Sequence, residues 1–84
     1  MTETAGDMRS LVEQIAQALV DVPEEVKVTA VEDGDVTVLE LHVAETDRGK
    51  VIGKQGRTAK SIRTILGAAS MKLKKRYTLE IIED

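Results

Sequence analysis

The sequence of 84 residues predicts a single α+β domain of order α-β-β-α-α-β, with helices packed on one face of a three-stranded sheet. Three observations carry this reading: apolar residues at helical spacing, β-branched residues in alternation, and a Gly-Lys-Gln-Gly interruption at residues 53–56 between two helical patterns. A chain this short makes one domain and buries only about 60–65% of its unfolded surface, so its core is thin.

Residues 1–6 are polar and acidic and are expected to be disordered, leaving 7–84 as the domain. Met8, Leu11, Val12, Ile15 and Leu19 recur at helical spacing, with Asp7 as the expected cap and Pro23 just past the end. Val26 to Glu32 alternates, Asp33-Gly34-Asp35 signals a turn, and Val36 to Val43 alternates again, so a hairpin follows. Leu39, Leu41 and Val43 share one face, and Val36, Val38, Glu40 and His42 the other. Asp47 is expected to cap a short helix over Arg48 to Ile52, which Gly53 and Gly56 interrupt. From Arg57 a longer helix places Ala59, Ile62, Leu66, Ala69 and Leu73 on one stripe, with Arg57, Lys60, Ser61 and Thr64 opposite. Tyr77 to Ile82 alternates as a last strand.

Charge divides along the chain. Arg48 to Arg76 holds ten Lys or Arg and no acid, whereas Met1 to Asp47 holds two basic and twelve acidic residues. With three more acids after Arg76, the sum of +10, −10 and −3 is the net −3 of the whole chain. A phosphate backbone responds to the local field and not to the average, so the basic half makes single-stranded nucleic acid the leading ligand.

The glycine loop sharpens that expectation. Glycine carries no Cβ and adopts positive φ, so two helices joined by Gly53-Lys54-Gln55-Gly56 approach closely, and the second aims its free N–H groups at the loop. An anion there meets backbone donors and the positive end of a helix dipole, with Lys54, Arg57 and Lys60 nearby. Gly49, Gly53 and Gly56 do not spell a dinucleotide fingerprint, and Gly53-Lys54 lacks the upstream glycine and the following Ser or Thr of a P-loop.

An aliphatic pair leading into G-x-x-G between two helices, Val51-Ile52-Gly53-Lys54-Gln55-Gly56, resembles the signature of the KH domain, whose loop clamps about four nucleotides of a single strand. Together with the element order it resembles the type II arrangement from about residue 7 onward. The run from Asp47 to Arg63 is similar to the small stand-alone bacterial KH proteins of the KhpA family. That resemblance implies that Gly53, Lys54, Gln55 and Gly56 hold the nucleic-acid backbone, while Val51 or Ile52 and Ile62 shape an apolar floor. It also implies an RNA-binding protein, acting as RNA chaperone or post-transcriptional regulator in cell shape and cell-wall homeostasis. Its partner would be a second copy or a larger KH-domain protein. The single aromatic, Tyr77, agrees, because an RRM or OB-fold needs aromatic platforms for its bases.

Other classes find less support. His42 has Glu40 two residues away but no Cys, second His or Asp cluster for a metal site, and no cofactor is expected. Ser61 and Ser70 sit in no nucleophile motif, and Glu24-Glu25 and Asp33-Gly34-Asp35 fit turns, so no enzyme is expected. The N-terminus is acidic and polar where a secretory signal is basic and then apolar, no membrane-length apolar run occurs, and cysteine is absent. These features imply a cytoplasmic protein. The alternative is a protein-interaction module that docks a partner through the basic face, with Val36, Val38 and Ile82 as a further apolar patch. Lys74-Lys75-Arg76 either extends the phosphate track or stabilises the end of the preceding helix.

Overall fold

The computed structural model describes residues 4–83 and has the α-β-β-α-α-β order. Helix α1 spans Thr4–Leu19, strands β1 and β2 span Lys27–Asp33 and Val36–His42, α2 spans Arg48–Ile52, α3 spans Arg57–Leu73 and β3 spans Arg76–Ile81. The sheet order is β1-β2-β3, with β1 antiparallel and β3 parallel to β2. β3 is therefore an edge strand whose outer side faces α3.

The alternation of β2 decides where the helices go. Thr37, Leu39 and Leu41 are buried while Val36, Val38, Glu40 and His42 are only half-buried, so the helical layer covers the Leu39 face. Val12 and Ala16 from α1, Val51 from α2, Ile62 and Leu66 from α3, and Tyr77 and Leu79 from β3 close over it. Leu39 and Leu41 are fully buried, and each such side chain is worth about 2 kcal/mol of transfer free energy. No helix among the described residues is long and apolar enough to cross a membrane.

Four details depart from the sequence reading. Helix α1 starts at Thr4, so Asp7 stands within its first turn and not at its cap. The expected disorder over 1–6 covers residues 1–3, which lie outside the described residues, and 4–6, which form the first turn. The α3 stripe is buried at Ala59, Ile62 and Leu66 but has surfaced by Leu73, which is 38% exposed. The sheet beneath α3 ends before that last turn. At its C-terminus Lys74 takes the left-handed conformation (φ 58°) and its N–H donates to Ser70 O, which ends the helix through the backbone. Ser70 Oγ then accepts from Tyr77 N–H at 2.9 Å, which steers the chain into β3.

The fourth departure is Asp47. Its backbone is helical (φ −97°, ψ −6°), unlike a capping residue, and its carboxylate caps no backbone N–H of α2. Instead it accepts from Asp21 N–H at 3.2 Å and Val22 N–H at 2.9 Å, the backbone donors just past the end of α1. Lys50 Nζ lies 3.5 Å from Asp47 Oδ1 and 3.1 Å from Asp21 Oδ2. Asp47 is 1% exposed, so this cluster ties α1 to α2 across 25 residues of sequence. Burial works to raise the Asp47 pKa, but the Val22 and Asp21 N–H groups and the Lys50 charge outweigh it and hold the carboxyl below its ordinary value. The Asp21 carboxylate in turn raises Lys50.

A depressed folded-state pKa adds stability above the unfolded value and loses it as pH falls through the folded one. Wild-type protein should therefore shed this contribution as pH drops below the ordinary value of 3.8. Asp47→Ala, which leaves two backbone donors without a partner, should lower the thermal midpoint at neutral pH by roughly 10 °C. Denaturant melts of both proteins across acidic pH read the effect: the gap between them narrows toward low pH, and a gap independent of pH contradicts the assignment.

Candidate nucleic-acid interface

The loop between α2 and α3 is built from backbone that only particular residues accept. Gly53 ends α2 at φ 81°, ψ 167°, and its N–H donates to Gly49 O at 2.8 Å. A Cβ at Gly53 would fall 2.7 Å from the Thr58 backbone nitrogen and collide with the Thr58 side chain, so the first turn of α3 rests directly against this bare Cα. Gln55 and Gly56 then take left-handed φ values of 59° and 74°, and Gly56 N–H donates to Gly53 O at 3.0 Å. Arg57 N–H donates to Lys54 O, closing a single 3-10 turn at the start of α3.

As the first residues of the 3-10 turn, Lys54 and Gln55 have no acceptor for their N–H groups within the turn itself. The positive end of the 17-residue α3 dipole lies beside this turn, an environment that suits an anion. Lys54, Gln55, Arg57 and Lys60 are exposed around it. Among the described residues none of Lys54, Arg57, Lys60 or Arg63 is ion-paired, whereas Arg48 pairs with Glu83 and Lys50 with Asp21 and Asp47. The basic half of the chain thus splits into cations that tie the fold together and cations that face solvent.

Beside the loop runs a groove. Ile52, Gly56, Ala59 and Arg63 line its helical wall, and Thr78, Leu79, Glu80 and Ile81 of β3 line the other. Ile82 N–H donates to Leu41 O, and Tyr77 N–H turns away from β2 toward Ser70. By the alternation of a parallel ladder, Leu79 and Ile81 therefore aim their N–H and C=O groups out of the sheet and toward the groove.

The sequence-derived residues divide accordingly. Ile52 and Gly56 line the groove, Gly53 shapes its end, and Lys54, Gln55, Arg57 and Lys60 stand at its mouth. Val51 and Ile62 are 0% and 3% exposed and sit in the core, so they support the floor from beneath without surfacing in it. Half-buried Ile52 provides the apolar surface of the helical wall, and Ala59, 3% exposed, lies behind it. Arg63 and the β3 wall are additions. The spacing Ala59, Arg63 marks one face of α3, but the strand opposite follows only from the sheet order.

Tyr77 is 6% exposed and packed in the core. Burial, with the Asp7 charge added, pushes its pKa up, and it offers no stacking platform. Lys74, Lys75 and Arg76 lie at the far end of α3, whose 17 residues at about 1.5 Å each put them roughly 25 Å from the loop.

A model of the KH domain of KhpA and KhpB matches residues 9–81. The chain is 55% identical over 75 residues to the RNA-binding protein KhpA of Clostridium acetobutylicum, covering 89% of this chain and 100% of that one. It is 53% identical over 76 residues to the RNA-binding protein KhpA of Halalkalibacterium halodurans, covering 90% and 100%. Among solved structures, Aquifex aeolicus Era bound to GDP·AlF4− superposes with a TM-score of 0.68 at 24% identity, over 96% of this chain and 31% of Era. Era in complex with MgGDPNP and nucleotides 1506–1542 of 16S ribosomal RNA superposes with a TM-score of 0.60 at 23% identity, over 88% and 28%. At these identities the Era likeness is one of fold.

The two loop glycines should respond differently to alanine. Gly56→Ala meets open space and should cost only the left-handed backbone penalty of about 1–2 kcal/mol. Gly53→Ala adds the collision with Thr58 and should cost about 3 kcal/mol or more. Urea melts of the two variants check the order, and equal losses contradict the close approach.

Proposed function

The chain belongs to the KhpA/KhpB family of KH domains, and from that membership we propose that it binds single-stranded RNA, with the Gly53–Gly56 loop clamping the phosphate backbone and the groove receiving the bases. The observation that carries this reading is the left-handed Gln55-Gly56 turn at the start of α3, set among four cations without ion-pair partners among the described residues. Phosphate oxygens accept from the N–H groups of Lys54 and Gln55, the helix dipole and the Lys54, Arg57 and Lys60 charges add attraction, and Gln55 Nε2 supplies a further donor. Bases turned inward lie over Ile52 and Ala59, with the outward backbone groups of Leu79 and Ile81 beside them. The relatives' name as RNA-binding proteins supports RNA as the strand recognised.

The finer setting follows from the family resemblance: a cytoplasmic RNA chaperone or post-transcriptional regulator in cell-shape and cell-wall homeostasis. A single module of this size holds few nucleotides, which favours work as a homodimer or beside a larger KH-domain protein. Further apolar surface, of which Val38 also lines the groove, supports association. Val36, Val38 and Ile82 are half-buried, and Ile65 and Met71 on α3 are 47% and 83% exposed.

Fluorescence anisotropy with a short degenerate RNA tests the clamp. The double variant Lys54→Asp, Gln55→Asp should fold normally by circular dichroism and lose binding. With about four phosphates engaged, log K should fall with log salt at a slope near −3. A folded variant that binds as wild type, or a slope near zero, contradicts the clamp. If instead the domain serves only to dock a protein, neither form binds RNA. Self-association through α3 is read separately by light scattering: Ile65→Asp should shift a dimer to monomer, and a wild-type protein that is monomeric at high micromolar concentration excludes it.

A further inference from the structure

The groove beside the glycine loop does not stop at Arg63. Gly67, Ser70 and Met71 of α3 line a second concavity together with Arg76, Tyr77 and Thr78 of β3, and Thr78 lines the groove as well. Ala59, Arg63, Gly67 and Ser70 recur at intervals of three or four residues and so form one stripe along α3. β3 follows in the opposite sense, lining the groove with residues 78–81 and the second concavity with 76–78. A furrow between α3 and β3 therefore leads from the loop to the far end of α3, where Lys74, Lys75 and Arg76 line it.

We propose that Lys74, Lys75 and Arg76 form a second phosphate-contact site, which takes the backbone of a single-stranded RNA beyond the part held by the glycine loop; this rests on the RNA-binding reading above. All three are exposed, none is ion-paired among the described residues, and they outnumber Glu32 and Asp35 of the hairpin in the lining. Closing α3 does not call on their side chains. Lys74 N–H and Lys75 N–H both donate to Ser70 O, so the backbone itself ends the helix. Gly67, between Arg63 and Ser70 on the stripe, is an independent sign of a ligand. It stands in ordinary helical backbone and a Cβ there would meet nothing within 4 Å, so neither φ nor packing asks for a residue that weakens the helix. A bare Cα at this point gives a strand room to pass close to α3. About four nucleotides fill the clamp. The 17 residues of α3 set the second site roughly 25 Å away, so only a longer strand engages both, and joining two contacts on one strand raises its affinity.

The test measures binding of degenerate single-stranded RNAs of about four and about twelve nucleotides by amide NMR titration, the shorter filling the clamp alone. The triple variant Lys74→Gln, Lys75→Gln, Arg76→Gln should weaken the longer RNA about tenfold and make its salt slope shallower by about 2. The shorter RNA should change by less than about twofold, because its phosphates stay at the loop. Gly67→Glu, at a position with open space for a side chain, replaces glycine with a good helix former and sets a carboxylate between the two contacts. It should keep the fold and weaken the longer RNA severalfold more than the shorter. A folded triple variant that binds the longer RNA as wild type overturns the assignment. Equal losses for both lengths also overturn it, because they mark a general effect of charge. If the triple variant does not fold, Gly67→Glu decides, and a ratio between the two lengths that stays at the wild-type value overturns the site. If wild type binds neither RNA, the RNA-binding reading itself fails and this inference with it; binding that the variants leave unchanged defeats the inference alone.

Discussion

The contact between the bare Cα of Gly53 and the first turn of α3 fixes how α2, the loop and α3 stand together. Because nothing projects from Gly53, the Thr58 nitrogen comes within a distance that a Cβ would forbid, and the chain must then reverse through two left-handed residues, Gln55 and Gly56. That reversal sets Lys54 and Gln55 in a single 3-10 turn at the start of α3. The same compression sets Ile52, Gly56, Ala59 and Arg63 on one wall opposite the β3 edge. A looser connection would keep both helices and lose the concavity between them.

Charge is arranged around this constraint in two ways. Asp47, buried with two backbone N–H donors and Lys50, uses its charge to hold the end of α1 against α2. Burying a carboxylate is unfavourable alone, and the directed donors make it tolerable. Lys54, Arg57, Lys60 and Arg63 are left without ion-pair partners among the described residues, and their field is not neutralised locally. Asp7 and Glu13 lie on α1 and Glu32, Asp33, Asp35 and Glu40 on the hairpin, and Glu80 with Glu40 lines the groove from the strand side. A net negative protein thus presents a basic loop and an acidic wall within one groove.

Much of this was legible from local pattern. The two long helices and three strands follow from periodicity, because burial on a single sheet face imposes periods of 3.6 and 2. The loop was legible through its glycines. Asp47 was misread because an Asp before a helical run is a local capping signal, whereas its partners at Asp21 and Val22 lie more than two dozen residues back. Val51 and Ile62 belonged to the apolar side of the loop helices, but only packing against Leu39 and Leu41 shows that they are too deep to surface. The β3 wall was not legible, since a strand read in isolation does not say whether it is central or an edge. Arg63 carried a signal, its helical spacing from Ala59, that the emphasis on the glycine motif passed over.

The measurement that bears most directly on the loop as a phosphate clamp is a two-dimensional amide NMR titration of the wild-type protein with a short single-stranded RNA. The account predicts that the largest shifts fall on the amides of Lys54 and Gln55, with smaller ones at Gly53, Gly56, Arg57, Leu79 and Ile81. Shifts confined to Lys74, Lys75 and Arg76 or to the outer face of α3, with the loop amides unmoved, would contradict it.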